Sequence, residues 1–283
     1  MVVAGLAVQA APEQPRPTAG EFVESLKFQQ GAIVLPGGLA TLNLPSGFRY
    51  LGPQDAERVL VQAWGNPQGH DTLGMLFPAD VSPVADNAWG VVITFDEDGY
   101  VSDKDADAIN YDKLLGEMRA GIAAGAAERK QKGYPGLALV GWAAAPRYDQ
   151  SAHKLYWAKE LAFSDQPEHT LNYNVRVLGR RGVLVLNAVS GMSQLPQIEQ
   201  AIPEIIAFTG FNPGHRYADF QAGTDRVAAY GLAALIAGGV AAKAGLFAKA
   251  FAVLLAGKKV FLMAALALCA LLGKWFKRRK PAV

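Results

Sequence analysis

Residues 94–105, Thr94-Phe95-Asp96-Glu97-Asp98-Gly99-Tyr100-Val101-Ser102-Asp103-Lys104-Asp105, gather more oxygen ligands on one bend than any other stretch of this chain. Laid on a calcium loop that starts at Thr94, Asp96, Asp98 and Asp105 take the third, fifth and twelfth positions, Gly99 the turn and Val101 the apolar eighth. Carboxylates spaced in this way on a sharp bend are what a hard divalent cation requires, so they are the candidate metal ligands and calcium is the one candidate cofactor. Three departures weigh against it. Thr94 brings no carboxylate, Asp105 is shorter than the usual bidentate Glu, and a strand rather than a helix leads in. A second reading needs no ion: Asp98-Gly99 is a turn dipeptide, and Ser102 with Asp105 forms a capping box whose acid suits a helix N-terminus.

Other catalytic constellations are weak. His70, His153, His169 and His215 show no metal-ligand spacing. His70-Asp71 is an adjacent pair whose side chains need not meet. Ser190-Gly191 follows a strand but lacks the Gly-x-Ser-x-Gly elbow. Pro36-Gly37-Gly38 has neither phosphate-loop pattern. Trp142, Tyr148, Tyr156, Trp157 and Tyr173 are aromatic residues on strands, where core packing is the plain expectation and a groove lining the alternative. The single cysteine, Cys269, sits in an apolar tract, so the chain has no internal disulfide and no thiol metal site. No catalytic residue is assigned. A hydrolase-like groove around Asp96, Asp98, His153 and Tyr148 stands as the enzymatic alternative.

The elements that must position these groups follow from periodicity. A helix is expected over 20–30, a hairpin around Pro36-Gly37-Gly38, an amphipathic helix over 53–64, and strands at 72–77 and 89–95. The longest helix is expected over 103–130, with Tyr111, Leu114, Leu115, Met118, Ile122 and Ala126 on its stripe. Strands follow at 137–142, 153–163, 171–178 and 183–189, the last two joined by Gly179-Arg180-Arg181-Gly182. A helix over 193–208 is expected to break at Pro203. This order predicts an α+β fold, a mostly antiparallel sheet packed with helices, followed by a C-terminal transmembrane or interfacial helical region. The domain reading is a signal-peptide remnant and Pro-rich spacer at 1–19, a soluble domain at 20–210, a connector at 211–226 and a membrane anchor with basic tail at 227–283.

Charge supports that division. Residues 227–283 hold nine of the 27 Lys and Arg and none of the 25 Asp and Glu, which leaves 18 basic against 25 acidic groups before them. An acidic globular part argues against nucleic acid as a partner, since phosphate binding needs a basic face. The tail closes on Lys274, Trp275, Phe276, Lys277, Arg278, Arg279 and Lys280, an aromatic pair within a basic cluster, as at the cytoplasmic end of a membrane helix facing anionic headgroups. Val8-Gln9-Ala10 before Ala11-Pro12 has signal-peptidase spacing without the basic n-region. The expected topology is a bacterial inner-membrane protein with its soluble domain in the periplasm and its tail in the cytoplasm. Ala234, Gly238 and Ala242 offer a small-residue face for self-association or a protein partner.

Trp89-Gly90-Val91-Val92, Asp98-Gly99-Tyr100-Val101-Ser102-Asp103, Tyr111-Asp112-Lys113-Leu114-Leu115, Gly141-Trp142, Pro146-Arg147-Tyr148-Asp149, His153-Lys154-Leu155-Tyr156-Trp157-Ala158 and Leu171-Asn172-Tyr173 together resemble a bacterial family. It is the group of membrane-anchored proteins known as domain of unknown function 2167, and the likeness runs from about Gly31 to the basic tail. The resemblance implies an exported domain with a C-terminal anchor and transfers no catalytic residue. The leading expectation is therefore an envelope protein that binds or scaffolds through its acidic domain. Membrane remodelling by the C-terminal helices is a third reading.

Overall fold

The computed structural model describes residues 18–237 apart from positions 67 and 70. The signal-peptide stretch, His70, Cys269 and the basic cluster Lys274–Lys280 lie outside the described residues. Among the described residues no helix is long and apolar enough to cross a membrane.

Helix α1 (Ala19–Glu24) starts at a capping box: Thr18 Oγ1 accepts from Glu21 N at 3.3 Å, and the Glu21 carboxylate accepts from Thr18 N at 2.8 Å. It stops well short of residue 30, because the chain turns into β1 (Phe28–Gln29), β2 (Gly31–Val34), β3 (Ala40–Leu44) and β4 (Phe48–Leu51). Helix α2 (Pro53–Arg58) has Pro53 in its first turn and continues as a π-helical turn, Val59–Ala63. Strands β5 (Gly74–Pro78) and β6 (Gly90–Asp96) precede α3 (Tyr111–Ala124) and α4 (Ala126–Gln131). Four strands follow, β7 (Leu137–Asp149), β8 (Lys154–Phe163), β9 (Thr170–Leu178) and β10 (Val183–Gly191), then α5 (Leu195–Ala207), β11 (Thr209–Phe211) and α6 (Leu232–Ala237).

Two expectations are corrected. The long helix begins at Tyr111, not at residue 103, because Asn110 caps it by accepting from Lys113 N at 2.9 Å. It divides from α4 at Gly125. Helix α5 runs unbroken through Pro203. One lost backbone bond is outweighed by the burial of Ile198, Ile202 and Ile205, at 0, 3 and 0% exposed, on the face the helix presents to the core.

The described residues divide into two compact units, 18–101 with 135–228, and 102–134 with 229–237. The first holds an eight-stranded sheet, ordered β1-β4-β5-β6-β10-β9-β8-β7, and a three-stranded sheet, ordered β11-β3-β2. Every ladder between strands in both sheets is antiparallel. Side chains alternate across a strand, so the large sheet has two distinct faces. Its first face carries Val91, Ile93, Tyr156, Ala158, Tyr173, Val175, Leu184 and Leu186 into the main core with Ile33, Leu35 and Leu42 of the small-sheet region and Ile198, Ile202 and Ile205 of α5. On the second face Leu51, Met75 and Phe77 pack beneath Phe22 and Leu26 of the α1 segment and Ala56, Val59 and Leu60 of the α2 segment. The second unit contains α3, α4 and α6, and α3 packs against α6.

Gly74 has φ +134°, and a Cβ there would press on the Tyr50 ring and sit 2.5 Å from Leu51 O. We expect Gly74→Ala to destabilise the chain by about 3 kcal/mol, measured by urea unfolding, because rigid backbone leaves the methyl nowhere to go.

Candidate functional site

The acidic stretch is fastened by backbone bonds. Asp96 ends β6 opposite Val183. Beyond it, Gly99 N donates to Arg181 O at 3.0 Å, Tyr100 N to Arg226 O at 2.8 Å, and Ala228 N to Tyr100 O at 2.8 Å. Gly99 has φ +102°, and a Cβ there would lie 2.7 Å from Arg226 O, so glycine is required by this close approach. Asp96 and Asp98 belong to the first unit and Asp105 to the second. Asp105 Oδ1 accepts from Leu232 N, at the start of α6, at 3.2 Å. The expected Ser102–Asp105 capping box is not formed: Ser102 Oγ accepts from Lys104 N at 3.4 Å, and Asn110 caps the helix instead. Among the described residues no group of three or more His, Cys, Asp or Glu side chains comes together as a metal ion needs.

Of the four residues named for the hydrolase-like alternative, two meet. Tyr148 Oη and His153 Nδ1 are 3.3 Å apart. His153 has φ +51°, the one positive φ outside glycine among the described residues. Its ring lies 4.1 Å from that of Tyr217, which stacks at 4.4 Å on Tyr100, which in turn stacks at 4.0 Å on Phe220. Asp96 and Asp98 take no part in this run of rings. A cleft of about 340 Å³ is lined by Glu97, Gly99, Arg181, Thr224, Asp225 and Arg226, without His153 or Tyr148. At its wall the Asp225 carboxylate, 3% exposed, accepts two bonds from Arg180, at 2.7 and 3.0 Å, and one from Gln221 N at 2.8 Å. The Arg180 bonds hold Asp225 below the usual carboxylate range. This pair spans 45 residues and had no sequence signal. It closes the segment after β11 onto the β9–β10 turn, as a structural clasp.

The second face of β7 to β10 has a different character. Register places Trp142, Lys159, Asn172 and Val189 in one row across β7, β8, β9 and β10. Trp157, Asn174 and Asn187 form the next row, which continues to Val92 and Met75. Leu155, Arg176 and Val185 form the third. Trp157 is 1% and Asn174 2% exposed. Asn174 Nδ2 donates to Asn172 Oδ1 at 2.8 Å, and Arg176 folds over the Trp157 ring at 4.9 Å, with Nη2 3.4 Å from Asn174 Oδ1. The indole N–H groups of Trp142 and Trp157 and the Oδ1 of Asn187 are buried without a hydrogen-bond partner. Each such orphan costs about 1–3 kcal/mol. No Asp or Glu lies in these rows on β7 to β10, and burial, with the Arg176 charge nearby, pulls the Lys159 ammonium down to about 8. On the core side of β8, by contrast, Glu160 is engaged by His169 at 2.6 Å. For Trp142 and Trp157 the sequence offered core packing first and a groove lining only as the alternative. Lys159, Arg176 and Asn187 were not, because only the register across four strands puts them together.

Fold and face thus define an α+β protein with a large and a small antiparallel sheet, the large one bearing a polar, cation-bearing region on one side. The chain belongs to the family described as "Protein of unknown function (DUF2167)", whose model matches residues 27–269. No curated protein matches it in sequence. Among solved structures it is similar to the cyanobacterial PsbP (CyanoP) of Synechocystis sp. PCC 6803, at 9% identity and TM-score 0.34, over 66% of this chain and 93% of that one. It is similar to the Saccharomyces cerevisiae Ran-binding protein Mog1p, at 12% identity and TM-score 0.36, over 70% and 100%. A third is LpqN, involved in cell envelope biogenesis of Mycobacterium tuberculosis, at 15% identity and TM-score 0.33, over 70% and 99%.

Two pH dependences follow. Asp225 is depressed in the folded chain, so its stabilisation is full above the ordinary carboxylate value of about 4 and is lost as pH falls through the folded value. The melting-temperature gap between wild type and Asp225→Asn should be largest at neutral pH and close in acid. For Lys159 the sign is reversed. Between about pH 8 and 10.5 the folded chain has released a proton that the unfolded chain keeps, so stability rises with pH, by about 3 kcal/mol in all. Lys159→Met should abolish that rise and be more stable than wild type below pH 8, in urea titrations across pH.

Proposed function

We propose that this protein is a membrane-tethered binding protein whose working surface is the second face of β7 to β10. One observation carries the reading: that face keeps buried donors and an acceptor without internal partners. Folding alone disfavours such groups, and three of them gather on this one face, although the Trp89 indole N–H in the main core shares that status. The nucleophile and base candidates offer no comparable arrangement. Ser190 Oγ donates to Gly191 O at 3.0 Å, and His169 is engaged by Glu160.

The tether rests on sequence. The acid-free, basic C-terminal tract and its aromatic pair support an anchor in an anionic bilayer, with the tail in the cytoplasm and the acidic domain outside the inner membrane. The small-residue face around Ala234 gives such an anchor a surface for self-association. Topology reporters fused after Gly223, after Gly257 and at the C-terminus test the arrangement. The first fusion should report from outside the cytoplasm and the last from inside it; a cytoplasmic first fusion would overturn the tethered, exported reading.

A further inference from the structure

Resting on the binding reading, we propose that the second face of β7 to β10 is a site for a small hydroxylated organic anion, of the sugar-acid or sugar-phosphate kind. Lys159 and Arg176 supply the positive charge, Trp142 and Trp157 donate hydrogen bonds, and Asn187 accepts one.

The inventory of unsatisfied groups selects the chemistry. Trp142 Nε1–H and Trp157 Nε1–H can only donate, so they require an acceptor. The Lys159 ammonium is also donor-only, and none of its neighbours on β7, β8 and β9 in these rows carries a carboxylate. An oxyanion answers all three. Asn187 Oδ1 is an orphaned acceptor and asks for a hydroxyl on the same ligand. Lone metal cations would be repelled by Lys159 and Arg176, and a purely apolar ligand would leave the two indole N–H groups and Asn187 Oδ1 unpaired.

Position and size agree. Trp142, Lys159, Trp157 and Asn187 occupy two adjacent rows. From β8 to β10 is about 10 Å at the usual strand spacing, a span that a lysine side chain and a ligand of single-ring size bridge together. Lys159 and Trp142 are half-buried, whereas Trp157 is 1% exposed. The lowered affinity of Lys159 for its proton fits a cation lacking its counter-charge.

The test uses the full chain in detergent micelles with 15N-labelled tryptophan, followed by indole N–H resonances assigned by Trp→Phe variants. Trp64, whose Nε1–H donates to Pro83 O at 2.9 Å, is the internal reference. Glucuronate and glucose 6-phosphate are the charged probes, separating carboxylate from phosphate; acetate and inorganic phosphate test the anion alone, and glucose the hydroxyls alone. We expect saturable shifts of Trp142 and Trp157, with Trp64 still, for at least one charged sugar at an affinity tenfold or more above its bare anion and above glucose. Lys159→Met should weaken that binding at least tenfold, and Asn187→Leu should erase the advantage over the bare anion. Glucose binding as well as the charged sugars would overturn the anion assignment while leaving the binding reading intact. Silence from every probe, or binding unchanged in Lys159→Met, would overturn the inference altogether, ordered water then being the partner of these groups.

Discussion

The constraint on which this molecule depends is the register of β10. The strand is paired over Val183–Val189 with β6 on one side and over its whole length with β9 on the other, so its alternation cannot slip without dragging both neighbours. Leu184, Leu186 and Ala188 are thereby committed to the main core, and Val185, Asn187 and Val189 to the opposite face. Shifting the ladder by one residue would place Asn187 among the isoleucines of α5 and expose leucine on the other side. The same parity, passed through β9 to β8, puts Tyr156 and Ala158 on the core side and Trp157 and Lys159 behind it.

Much of this was legible. Strands with alternating or continuous apolar residues announce themselves, and the meander of β8, β9 and β10 follows from short links between them. Helix limits were less legible, because capping is decided by tertiary partners. Asn110 caps α3 while the carboxylate of Asp105 is taken up by Leu232 N, and neither choice is visible in a string where Ser102 and Asp105 have the correct spacing for a box. Pro203 shows the same limit: a local rule against proline in a helix yields to three buried isoleucines. The calcium-loop pattern around Asp96 and Asp98 was read from spacing alone, and the fold binds that stretch through main-chain bonds to Arg181 and Arg226.

Contacts distant in sequence were invisible in principle. Arg180 with Asp225, and the rings of His153, Tyr217, Tyr100 and Phe220, meet only after the segment following β11 has folded back. The polar rows on the second face are a subtler case. Each residue is unexceptional in its own strand, and the pattern exists only across β7, β8, β9 and β10.

The contrast within that face is the strongest reason to separate function from stability. The row of Trp157, Asn174 and Asn187 runs on through Val92 to Met75, where α1 and α2 seal it with Phe22, Ala56 and Val59. One sheet, one face and one register therefore carry both an apolar seal and an orphaned polar patch. Strand geometry cannot distinguish the two halves, since the ladder is continuous across them. What differs is the side-chain chemistry and the cover that α1 and α2 lay over one half. An apolar residue at 159 or 187 would satisfy the sheet equally and remove a desolvated charge or an orphaned acceptor, so stability gives no account of their presence.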